Sequence, residues 1–180
     1  MKKYNTHLKV GDQAPLIDAI DQSGLSIGSE MLLELGKLVL IFYRGAWCPH
    51  CNRHIRQVKS ELLSLLSKGA QVLLITPEQP PFLREVFKET QLPFPVIVDH
   101  DYKIMKDFGV VFEVDESNFK DFFMKESMIE VIKKRNESTG NLYLPIPATF
   151  LIDQNNTIAH IHFRANFKKR MSVSEIIDKL

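Results

Sequence analysis

The chain has 180 residues, 44% of them apolar and 25% charged, enough to bury one substantial core but short for two, so a single domain over residues 1–180 is expected. Its 23 basic and 22 acidic residues leave a formal net charge of +1 spread along the chain, which argues against nucleic acid or an anionic membrane surface as a charge-driven partner. The opening MKKYNTHLKVGDQAP has lysines but no apolar segment behind them, and no run approaches the ~18 apolar residues of a membrane span, so neither a secretory leader nor a spanning helix is expected and the cytoplasm is the expected compartment.

Residues 16–20 and 25–27 are short apolar runs on either side of DQSG, a hairpin signal. Residues 37–43 read as a buried strand. From Pro49 to about Leu66, Ile55, Val58, Leu62, Leu65 and Leu66 recur at helical spacing, and Gly69 sits where such a helix would stop. Residues 71–76 form a second buried strand, PPFLREVFKET a helix opened by proline, and residues 94–98 a third strand. Between about Ser117 and Asn136, the residues Phe119, Phe122, Phe123, Val131 and Ile132 outline an amphipathic helix whose aromatic stripe is expected to pack on the core. After Gly140, NLYLPIPATFLIDQNNTIAHIHF holds two strands about a QNN turn, and residues 173–179 form a last helix. The order is hairpin, βαβαβ, one inserted helix and ββα. That is an α/β fold whose central strands are covered on both faces.

Both cysteines lie in IFYRGAWCPHCNRHI, residues 41–55, between the first buried strand and its helix. Cys48 therefore falls at or just before the helix N-terminus, with Cys51 about one turn inside. Unpaired backbone N–H groups and the positive end of the helix dipole favour a thiolate there. Pro49 suits the first turn, and His50, if protonated or donating, adds to the stabilisation. Two thiols at this spacing can close a disulfide, one attacking and the other resolving. In a reducing compartment such a pair points to chemistry, not to a staple. Cys48, Cys51 and His54 also read as C-x2-C-x2-H with His50 nearby, but a tetrahedral zinc site needs a fourth ligand and no second cysteine pair supplies it. No metal or cofactor is expected. The basic clusters 133–135 and 168–170 read as solvated faces or helix ends, and His160 and His162, alternating on a strand, as structural or exposed.

Taken together, VGDQAP, VLIFYRGAWCPHCNRHI, LLITPE, LPFPVIVD and LPIPATFLID resemble the peroxiredoxin-like branch of the AhpC/TSA family, and the likeness runs from Val10 to the last helix. The resemblance implies a thioredoxin-like fold with an N-terminal β-hairpin and one helical insertion, and a cis Pro147 facing the CxxC. Aligned with the peroxiredoxin loop PxxxTxxC, Cys51 falls on the peroxidatic cysteine, Cys48 on the threonine and Arg44 on the proline. The arginine that such proteins carry before the later strand falls on or near Pro147. Arg44 and Arg53 are the candidates for its electrostatic task, Arg44 first because it lies at the strand end. In the thioredoxin register, Trp47 precedes the CxxC, Cys48 is the nucleophile and Cys51 resolves. The inner Pro-His pair matches the oxidising DsbA-type motif.

The implied activity is that of an enzyme, a thiol-based antioxidant oxidoreductase reducing hydroperoxides and recycled by a thioredoxin-like or glutathione-type reductant. The alternative is a general thiol–disulfide oxidoreductase acting on protein disulfides. The expected site residues are Cys48, Cys51, Pro147, Arg44, Trp47 and His50, with Trp47 shielding the thiols and offering a contact surface.

Overall fold

The computed structural model describes residues 5–87, 92–114, 130, 132–134, 142–164, 166 and 168–180. The chain opens with an antiparallel hairpin of β1 (Asp18–Ile20) and β2 (Ser26–Gly28), whose turn is closed by the Asp21 carboxylate accepting from the N–H groups of Ser23 and Leu25. A short helix, α1 (Ser29–Leu35), leads into β3 (Lys37–Phe42). The run Lys-Leu-Val-Leu-Ile-Phe is buried throughout except at Lys37, as required of a strand covered on both faces.

The helical pattern that follows is divided at Glu61 into α2 (Pro49–Ser60) and α3 (Leu62–Ser67). Gly69, at φ +71°, then turns the chain into β4 (Ala70–Thr76). Next come α4 (Pro80–Phe87), β5 (Val96–Val98), α5 (Lys103–Asp107) and β6 (Val111–Glu113). The chain continues with β7 (Tyr143–Pro145), β8 (Ala148–Ile152), β9 (Ile158–Phe163) and α6 (Val173–Lys179).

The central sheet has the order β5-β4-β3-β8-β9, with β3, β4 and β5 parallel and β8 and β9 antiparallel to their neighbours. This is the thioredoxin-like arrangement expected from the sequence. One face of β3 packs Phe42 against Phe108 and Phe150, with ring centroids 5.1 and 5.7 Å away. Such aromatic pairs add ~0.5–1.5 kcal/mol each beyond the area they bury. The other face, through Val39 and Ile41, packs on the apolar side of α2, where Cys51, Ile55 and Val58 lie.

Three features differ from the sequence reading. Helices α1 and α5 and the two-stranded pair β6–β7 are too short for a periodic pattern to announce them. The expected helix between Ser117 and Asn136 lies mostly outside the described residues; residues 132–134 are helical, and Ile132 is buried against Val114, Leu144 and Ile146. The Ile146–Pro147 peptide is trans, and no described peptide bond is cis. Ile146 N–H donates to Val110 O and Ala148 pairs with Phe42, so the chain passes extended from β7 to β8 in the form an X-Pro bond favours by ~0.5–1 kcal/mol. Among the described residues no helix is long and apolar enough to cross a membrane.

Candidate active site

The carboxyl end of β3 is prolonged by one residue through Tyr43 N–H to Ile75 O, and the chain then folds back over the start of α2. Ala46 is held from two sides: its N–H donates to Glu78 Oε2 at 2.8 Å, and its carbonyl accepts from Asn52 Nδ2 at 2.8 Å. Gly45, at φ +143°, has no room for a side chain, since a Cβ would lie 2.4 Å from Trp47 Nε1 and 2.9 Å from Glu78 Oε2. Cys48 N–H closes the turn on Gly45 O, and Pro49 opens the helix in the first turn, where its missing donor costs nothing.

This loop sets the two free sulfurs 2.8 Å apart, with the Cys51 thiol donating to Cys48. Each cysteine is 2% exposed, so access does not distinguish them. Their charges do. The Cys48 thiol is lowered to about 5, first by the Cys51 hydrogen bond and then, against the opposing cost of burial, by Arg44, the Cys51 backbone N–H and Arg170. Burial pushes Cys51 well above the ordinary thiol range, and the proton it shares with Cys48 adds to this.

Two guanidinium groups face the pair. Arg44 is 2% exposed; its Nε donates to Pro145 O at 2.9 Å, its guanidinium carbon lies 4.6 Å from the Trp47 ring centroid, and its side chain hydrogen-bonds Cys48. Burial draws Arg44 below its ordinary value, while the two sulfurs oppose that fall. Arg170 arrives from the segment before α6, with Nη2 2.9 Å from Cys51 and 3.8 Å from Cys48. A cavity of about 10 Å³, room for one water-sized molecule, lies among Arg44, Trp47, Glu78 and Tyr102. The larger groove, about 440 Å³, follows the outer side of α2 past Arg53 and contains neither sulfur.

The structure thus brings together Cys48, Cys51, Arg44 and Trp47. Trp47 is half-buried and packs on the cluster holding both cysteines. Arg53 is exposed on α2. His50 is half-buried on the first turn, but the cations acting most strongly on Cys48 are Arg44 and Arg170. Pro147 is buried between β7 and β8, and the carbonyl that meets Arg44 belongs to Pro145, two residues earlier. His54 lies on the buried face of α2, and among the described residues no three His, Cys, Asp or Glu side chains are grouped to hold a metal ion.

The sequence reading missed Arg170, Glu78 and Asn52. Arg170 belongs to the cluster read as a solvated face, and it is half-buried instead. A signal was present: Lys168, Lys169 and Arg170 immediately precede Ser172 and Glu175, a capping box, and cations are disfavoured at a helix N-terminus unless something else holds them. Glu78 follows the carboxyl end of a central parallel strand, where ligand sites of α/β sheets gather.

Comparison with known proteins agrees with this geometry. Residues 10–161 match the AhpC/TSA family. The chain belongs to the AhpC/TSA family. Over 111 residues this AhpC/TSA protein is 35% identical to a putative peroxiredoxin, bcp, of Haemophilus influenzae, the match covering 57% of the chain and 66% of that relative. It is 25% identical over 158 residues to the thiol-disulfide oxidoreductase ResA of Geobacillus thermodenitrificans, covering 87% of the chain and 70% of the relative. The crystal structure of peroxidoxin BcpB from Mycobacterium tuberculosis superposes with a TM-score of 0.71 at 18% identity, covering 96% of each chain, which establishes the shared thioredoxin-like fold.

Proposed function

We propose that this AhpC/TSA protein is a thiol peroxidase that reduces hydroperoxides with Cys48 and Cys51 and is recycled in the cytoplasm by a thioredoxin-like or glutathione-type reductant. The observation that carries the reading is a pair of sulfurs, each 2% exposed, held between two guanidinium groups. A peroxide needs little opening to reach them, whereas a protein disulfide must bring a whole surface. The Cys48 thiolate attacks one peroxide oxygen: an S–O bond forms, the O–O bond breaks, and the departing oxygen leaves as water or alcohol on taking a proton. Arg44 and Arg170 stabilise the charge on that oxygen. The Cys51 thiol then attacks the sulfenic acid and expels water, closing a Cys48–Cys51 disulfide that the reductant reopens by exchange.

Stopped-flow addition of hydrogen peroxide to the reduced protein tests this, with Trp47, the single tryptophan, as reporter and free thiols counted in parallel. Two thiols should be lost per peroxide. A sulfenic-acid probe should label Cys48 in Cys51→Ser; label on Cys51 in Cys48→Ser with none on Cys48 would instead assign attack to the peroxiredoxin register, and label on neither would reject peroxidase chemistry. The likeness to ResA over 87% of the chain favours a second reading, thiol–disulfide exchange. That reading is preferred if reduced protein reacts with a protein disulfide faster than with peroxide.

A further inference from the structure

Of the two guanidinium groups facing the thiols, Arg170 is the one seated on Cys51. Its Nη2 lies 2.9 Å from Cys51 Sγ and 3.8 Å from Cys48 Sγ, and its Nη1 donates to Lys169 O at 3.2 Å. The residues that follow it fix it there: Met171 is buried in the cluster that holds both cysteines, Val173 and Ile176 are buried on α6, and a capping box joins Ser172 and Glu175. Arg44 is oriented otherwise, with Nε tied to Pro145 O at 2.9 Å and the guanidinium over the Trp47 ring. Among the cations, Arg44 acts most strongly on Cys48, whereas Arg170 comes first on Cys51.

A guanidinium beside a thiol that keeps its proton has little charge to meet. In the reduced state that proton serves Cys48, to which the Cys51 thiol donates across 2.8 Å. The first step of the cycle removes this arrangement. Once Cys48 carries an oxygen or a mixed disulfide, its sulfur is neutral, so neither its charge nor the shared proton holds Cys51 in the thiol form, and burial alone opposes ionisation. Cys51 then has to attack as the thiolate, and the group already within hydrogen-bond reach of its sulfur is Arg170. The charged and titratable groups facing Cys51 are Cys48, Arg170 and Arg44. His54, three residues on along α2, is lowered to about 4 by burial and then by Arg170, so it brings no charge at neutral pH.

We propose that Arg170 is a catalytic residue of the second half of the reaction, its guanidinium stabilising the Cys51 thiolate that closes the disulfide on oxidised Cys48. Cys51 gives up its proton, its sulfur bonds to the Cys48 sulfur, and the S–O bond breaks; the departing hydroxide takes the proton and leaves as water. Arg170 thus has a task after the one it shares with Arg44 in the attack. The inference rests on Cys48 being the attacking thiol, but not on which oxidant it meets.

Methyl methanethiosulfonate, small enough for a buried thiolate, separates the two steps without peroxide. One equivalent transfers a methylthio group to Cys48 with loss of methanesulfinate; Cys51 then displaces methanethiol and leaves the Cys48–Cys51 disulfide. Intact mass of quenched samples of the reduced full-length chain, from neutral to alkaline pH, gives both rates. In Arg170→Met, closure at neutral pH should slow about tenfold more than methylthiolation does, and its pH profile should move up by about one unit. Arg44→Met should slow closure less than Arg170→Met, and Arg170→Lys, which keeps the charge, should recover part of the loss. Closure in Arg170→Met with the wild-type rate and profile, equal slowing of both steps, or a wild-type adduct that sits on Cys51 or never closes, overturns the proposal. If Arg170→Met does not fold, Arg170→Gln decides by the same outcomes. The probe supplies its own oxidising equivalent, so the expected result in a protein that ignores hydrogen peroxide would reject the peroxidase reading and leave the role of Arg170 standing.

Discussion

Replacing Arg44 by methionine keeps most of the side-chain volume and removes the cation that acts most strongly on Cys48. The fall of that thiol from 9.0 to about 5 corresponds to about 5 kcal/mol of preference for the anion. Cys51 supplies the largest share; assigning about a quarter to Arg44 predicts a rise of roughly one pH unit in Arg44→Met. At pH 5 the wild type is then about half thiolate and the variant about a tenth, while at pH 7 both are almost fully ionised. Alkylation by iodoacetamide, measured on the reduced proteins across this range, should therefore slow about fivefold at pH 5 and hardly at all at pH 7. A changed opening at the site would instead scale the rate equally at every pH. Equal slowing at both values, or none at pH 5, would refute electrostatic control by Arg44.

Folding stability of the reduced protein should follow the same titrations. Between pH 5 and 9 the unfolded chain keeps the Cys48 proton that the native state has lost, so stability rises with pH and is lost as pH falls through about 5. His54, lowered from 6.5 to about 4 by burial and then by Arg170, adds a loss of the same sign between those values. Urea unfolding should show a continuous fall from pH 8 to 4.5, and Cys48→Ser should flatten its upper part; an unchanged slope in that variant would contradict the assignment. Gly45→Ala should destabilise by about 1–3 kcal/mol and shift Trp47 emission, because the new Cβ meets the indole. An unaltered emission spectrum would show that the loop has another way to fit.

What could be read from the sequence was local. Cys48 and Cys51 announced themselves through their spacing at a strand–helix junction, and the parallel strands through unbroken apolar runs. Arg44 could be singled out because it ends a strand one loop away from the thiols. Arg170 was passed over, since the sulfur that defines it lies 119 residues earlier and the one local signal, a basic run ahead of a capping box, also has an ordinary solvated explanation. The cis form expected of Pro147 differs from the structure for another reason: the backbone pairs on both sides of it and passes extended from β7 to β8. His54 was visible only as a metal ligand of an incomplete set, because its burial depends on what packs against that face of α2.

The distance between Cys51 and Arg170 also bears on the birth of the molecule on the ribosome. At about 5–20 residues per second, translation needs roughly 6 to 24 s to cover the 119 residues between them. During that interval a nascent chain owns its cysteines and Arg44 but lacks one of the two cations that face them. For most of that interval β8, the antiparallel neighbour of β3, is also still to be made. The second cation arrives only with the segment that precedes the last helix, so the charge environment of the thiols is completed only when nearly the whole chain has been made.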